Sequence, residues 1–122
     1  MPRVIHFELP ADSLERAIHF YSTVFGWKIE KWESLPDYWT VTTGDGRQAG
    51  IDGAITKRTK VLTGAINTIE VPSVDDYIKK VKVAGGQVVL PKIAVPGVGW
   101  MAYLRDTEGN VFGIIHPDER AK

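Results

Sequence analysis

From Arg3 to Leu9 apolar and polar residues alternate, so that Ile5, Phe7 and Leu9 fall on one side of an extended strand and Val4, His6 and Glu8 on the other. After Pro10 the period changes. Asp12 or Ser13 can cap a helix whose apolar residues Leu14, Ala17, Ile18, Tyr21 and Phe25 recur at helical spacing until Gly26 stops it. Three short strands are expected next, in "WKIEKW", "YWTVTT" and "AGIDGAI", separated by the turn-rich "ESLPD" and "GDGRQ". The first half reads as strand, helix and three strands, a βαβββ unit.

The second half repeats that order. "AINTIEVP" echoes "VIHFELP", with Glu70 and Pro72 standing where Glu8 and Pro10 stand about sixty residues earlier. A helix carrying Val74, Tyr77, Ile78 and Val81 ends at "AGG", and strands fit "QVVLP", "GWMAYLR" and "NVFGIIH". A single domain over residues 1–122 is expected, with module one at 1–55, a linker at 56–63 and module two at 64–117. Two such units cannot each close a core alone. The expected fold class is therefore α+β: two tandem βαβββ modules whose mixed β-sheet curls around a cleft, with the helices outside. The segment "KIAVPGVGW" reads as a long connection able to cover a pocket.

Composition narrows the function classes. The chain has 122 residues, 43% hydrophobic and 25% charged, which suits one compact domain. Its formal net charge is zero, so neither a nucleic acid nor a membrane surface is an expected partner. There is no cysteine, which removes disulfides, thiolate metal sites and a cysteine nucleophile. No apolar run suits a signal peptide or a membrane span, and the cytoplasm is the expected location.

The stretches "VIHFELPADSLERAIHFYSTVFGWKI" and "GWMAYLRDTEGNVFGII" resemble the vicinal oxygen chelate superfamily, which includes glyoxalase I, bleomycin-resistance proteins and extradiol dioxygenases. The most specific parts are the first strand, the "FYSTVFGW" helix end and the "D-x-E-G-N-x-F" turn. The resemblance implies four metal-ligand positions in metal-dependent members, one near the start of each half and one near each half's last strand. His6 matches the first, and imidazole suits zinc, nickel or iron. Asp52 falls near the second, although its "IDGA" context equally suits a tight turn. The third falls on Ile66, or on Thr68 if the register follows the Glu-Pro echo, and neither is a good ligand. Gly113 falls on the fourth and supplies no ligand at all.

These residues lead to an expected glyoxalase/bleomycin resistance-type protein that binds a small organic molecule in its cleft without an intact metal site and without a cofactor. It is expected to act as a homodimer, which the resemblance implies for chains of this length. The alternative is a metal-dependent lyase, isomerase or dioxygenase holding zinc, nickel or iron through His6 with Asp52, Glu8 or Glu70. A binding module with no small ligand is a third reading. Trp39, Trp100 and Tyr103 are expected to line or border the cleft, with Arg105 available for a ligand carboxylate. Glu8 and Glu70 share faces with His6 and Thr68 and are expected at a solvated rim, because buried carboxylates are costly unless paired. His19 and His116 are expected in solvent.

Overall fold

The structure, a computed structural model, describes residues 1–122. The elements run β1 (Arg3–Ala11), α1 (Leu14–Phe25), β2 (Lys28–Lys31), β3 (Tyr38–Thr42), β4 (Asp52–Lys57), β5 (Ile66–Glu70), α2 (Val74–Val83), β6 (Gln87–Val95), β7 (Gly99–Arg105) and β8 (Val111–Pro117). This is the βαβββ order twice. By contacts, the chain divides into two compact units, one of residues His6–Ile66 and one of Met1–Ile5 with Asn67–Lys122. No helix is long and apolar enough to cross a membrane.

In the first unit β1 pairs parallel to β4, while β3 pairs antiparallel to both β2 and β4. Ser13 caps α1, its Oγ accepting from the Arg16 N–H at 3.2 Å, and Gly26 ends it at φ 71°, a left-handed conformation that costs glycine little. Helix α1 covers one face of this sheet. There Ala11, Val41 and Ile55 are buried under Leu14, Ala17, Ile18 and Tyr21, with Phe7 and Leu9 packed alongside. The alternation that put Phe7 and Leu9 inward leaves His6 and Glu8 on the face away from the helix.

The second unit has the same plan, with β5 parallel to β8 and β7 antiparallel to both β6 and β8. Ser73 caps α2 through the Asp76 N–H, and Val71, Val74, Ala102, Leu104 and Ile114 form the core beneath it.

Three points differ from the sequence reading. Strand β4 continues through Thr56 and Lys57, into the expected linker, because these residues pair with Pro10 and Ala11 of β1. His116, in β8 opposite Trp100, is half-buried rather than in solvent. The expected pocket cover is largely strand. Lys92–Val95 belong to β6, and the connection to β7 is a tight turn at Pro96–Val98, with Gly97 at φ 76° and the Val98 N–H donating to the Val95 carbonyl at 2.9 Å. Pro91 is accommodated because β6 pairs on one side only within its unit and its register shifts on either side of Leu90.

Candidate functional site

The parallel β1–β4 ladder sets His6 opposite Asp52 and Glu8 opposite Ala54. The antiparallel β3–β4 ladder adds Thr40 opposite Ala54 and Tyr38 opposite Thr56. Because side chains alternate along each strand, these residues share the face turned away from α1. Tyr38 enters β3 directly after Asp37, which holds a left-handed backbone at φ 54° that Asp tolerates better than most residues.

Tyr38 closes on His6. Its hydroxyl lies 3.0 Å from His6 Nε2. Burial lowers the His6 pKa below its ordinary value, opposed by the nearby Asp52 charge, so the imidazole is neutral at pH 7. Burial, reinforced by the Glu8 carboxylate, pushes the Tyr38 phenol far above its ordinary range, so it keeps its proton. Glu8 itself is 2% exposed. The expected rim position is therefore corrected for Glu8, which is buried, whereas Glu70 is exposed at the end of β5.

Asp52 opposes His6 in the ladder, yet its carboxylate serves the β3–β4 loop. Oδ1 accepts from the Thr43 N–H at 2.9 Å, while the Thr43 hydroxyl donates to the Ile51 carbonyl at 2.7 Å. Three His, Asp or Glu side chains do not gather in a geometry that could hold a metal ion.

In the second unit Thr68 pairs with Gly113, and Gly113 pairs in turn with Tyr103. Thr68 opposes Gly113 in the parallel β5–β8 ladder as His6 opposes Asp52 in the parallel β1–β4 ladder. Thr68 Oγ1 is buried and has no hydrogen-bond partner. Arg105 faces Gln87 across the β6–β7 ladder, its Nη1 donating to Gln87 Oε1 at 3.4 Å.

The two tryptophans do not join these faces. Trp39 lies beside Val41 in the alternation and opposite Ile55, so it points to the α1 side, where it borders a surface hollow of about 610 Å³ with Leu14, Ile18 and His19. Trp100 packs against the core under α2, and its Nε1–H donates to Asp118 Oδ2 at 3.3 Å. Their grouping with Tyr103 is corrected by strand parity. Tyr38 was missed although a signal for it existed. Val41 is the apolar core residue of "YWTVTT", and two-residue alternation from Val41 sends Trp39 inward and Tyr38 to the His6 face.

Comparison with known proteins agrees with this architecture. Residues 3–44 match the family described as bleomycin resistance protein-like N-terminal. A glyoxylase-like domain-containing protein of Didymella fabae is 32% identical over 116 residues, covering 88% of each chain. A glyoxalase/bleomycin resistance protein/dioxygenase superfamily member from Vibrio splendidus shares the fold with a TM-score of 0.67 at 14% identity, over 97% of this chain and 100% of the other. Streptomyces coelicolor methylmalonyl-CoA epimerase, solved in complex with 2-nitronate-propionyl-CoA, does so with a TM-score of 0.66 at 12% identity, over 98% and 97%. With its repeated βαβββ order and an alignable relative over most of its length, the chain belongs to the vicinal oxygen chelate superfamily, in its glyoxalase and bleomycin-resistance group.

Proposed function

We propose that this protein binds a small organic molecule on the sheet face that carries His6 and Tyr38, and that it does so without a catalytic metal. The observation that carries the reading is the pair of equivalent ladder positions: His6 with Asp52 in one module, Thr68 with Gly113 in the other. Only the first pair offers metal donors, and a catalytic metal ordinarily takes three protein ligands supported by further hydrogen bonds. Of the donors that remain, His6 Nε2 already meets the Tyr38 hydroxyl and Asp52 Oδ1 already accepts from the Thr43 N–H. What the His6 face offers instead is polar: an imidazole, a phenol and a buried carboxylate set on the strands of one unit. Such groups orient a ligand by hydrogen bonds. A fold relative solved with 2-nitronate-propionyl-CoA supports a small organic molecule as the partner.

Homodimerisation and a cytoplasmic location complete the reading. The exposed apolar side chains Phe20, Val24 and Phe25 on α1 support pairing with a second copy.

The test is a thermal-shift screen of small carboxylates, thioesters and aromatic compounds in buffer containing EDTA, repeated with zinc or nickel in place of EDTA. Ligands are expected to raise the melting temperature saturably in EDTA, and His6→Gln is expected to weaken the effect. Stabilisation that requires added metal would favour the lyase, isomerase or dioxygenase reading instead.

A further inference from the structure

The phenol of Tyr38 reaches His6 from two strands away. Tyr38 belongs to the ladder row of Thr56, and His6 to the row of Asp52. The row between them is occupied on β4 by Ala54, whose side chain is the smallest that still has a Cβ and is fully buried. Ala54 contributes only a methyl group to that row, which it shares with Glu8 and Thr40, and the Tyr38 hydroxyl lies 3.0 Å from His6 Nε2.

A phenol is a strong hydrogen-bond donor and a weak acceptor. The unprotonated nitrogen of a neutral imidazole is a strong acceptor. Each ring nitrogen does one job at a time, and the partner of one decides the state of the other. We propose that Tyr38 donates its O–H to His6 Nε2 and thereby holds the ring as the Nδ1–H tautomer, so that Tyr38 is the residue that makes His6 a hydrogen-bond donor instead of a metal ligand. The inference deepens the proposed metal-free reading. It assigns Tyr38 as the positioning residue and gives the ligand a chemical requirement, an acceptor oxygen such as a carbonyl or carboxylate to meet Nδ1–H.

The chemistry has two consequences. The Nε2 lone pair, which a divalent metal would need, is occupied. Conversely, removing one oxygen atom from Tyr38 returns that lone pair to use while keeping the aromatic ring. Neutral histidine in solution favours the Nε2–H form, so the tautomer of His6 reports directly on its partner.

The experiment is a long-range proton–nitrogen NMR correlation of the histidine rings at pH 8 in chelator-treated protein. The His6 signals are identified by their loss in His6→Gln, and wild type and Tyr38→Phe are then titrated with zinc ion. Wild type is expected to show Nδ1–H with Nε2 unprotonated, and Tyr38→Phe to shift toward Nε2–H. Zinc is expected to perturb the His6 ring in Tyr38→Phe at concentrations about tenfold below those needed in wild type, as expected for one competing hydrogen bond. An Nε2–H ring in wild type overturns the proposal without any variant being needed. So does a Tyr38→Phe protein with the wild-type tautomer or the wild-type zinc dependence. The metal-free reading fails separately, if protein purified without chelator carries stoichiometric metal.

Discussion

Gly113 lies directly opposite Thr68 in the parallel β5–β8 ladder, and the space it leaves is held by Thr68 itself. A Cβ at Gly113 would stand 3.2 Å from Thr68 Oγ1 and 3.6 Å from both Thr68 Cγ2 and Tyr103 Cε1. The backbone at Gly113 is not left-handed, so what limits a larger residue there is the closeness of Thr68, which a Cβ would press back by a few tenths of an ångström. Gly113→Ala is expected to change stability by no more than about 1 kcal/mol, small neighbour shifts offsetting the lower entropy of the unfolded chain. Gly113→Glu should cost about 2–4 kcal/mol, because it adds both overpacking and a poorly solvated carboxylate. Urea unfolding of the two variants checks the contrast.

Thr68→Val should stabilise the protein. Thr68 is 2% exposed, and its Oγ1 is buried without a partner, so the hydroxyl loses its water on folding and regains nothing. Valine has nearly the same shape and a high preference for strands. A gain of about 1 kcal/mol in unfolding free energy is expected. A loss of similar size would show that the hydroxyl has a partner in solution.

Acid should weaken the first module through His6. Its folded pKa is lowered, chiefly by burial, with Asp52 acting the other way. Between that lowered value and the ordinary imidazole pKa, the unfolded chain binds more protons than the native one, so stability falls as pH falls through this window. His6→Gln removes the contribution. Its stability should therefore fall less than that of wild type between pH 7 and the acid end of the window, as read by thermal unfolding in matched buffers.

Asp52 should act on the loop before it more than on any ligand. Losing the Oδ1 acceptor for the Thr43 N–H frees the loop between β3 and β4 at its closing point. Asp52→Ala is expected to cost about 1 kcal/mol, the usual loss for a side chain that caps a backbone N–H. Faster proteolytic nicking between Thr43 and Asp52 would accompany it. Unchanged cleavage would mean that the loop is held by other contacts.

Much of the fold was legible because it rests on local periodicity. The alternation of Phe7 and Leu9 with His6 and Glu8, the helix stripe ending at Gly26, and the Glu8–Pro10 and Glu70–Pro72 echo depend only on neighbours in sequence. Ladder register was less accessible. That Thr68, and not Ile66, lies opposite Gly113 depends on which residue of β8 pairs with which of β5, a non-local fact. The burial of Glu8 was missed because a carboxylate is ordinarily too costly to bury, and its neighbours come from distant strands. Tyr38 was overlooked in favour of the larger Trp39, although Val41 fixed the parity of that strand. The Lys92–Val95 stretch looked like part of a loop because Pro96, Gly97 and Gly99 follow it, yet those residues make only the turn after β6 and the start of β7, and β6 itself continues through Val95 with register shifts.

The central claim is that the His6 face works without a metal, and its most direct test is the metal content of the protein purified without chelator, measured by inductively coupled plasma mass spectrometry. The account predicts zinc, nickel, iron and manganese each far below one atom per chain. About one atom of any of them per chain, retained through dialysis and lost in His6→Gln, would contradict it.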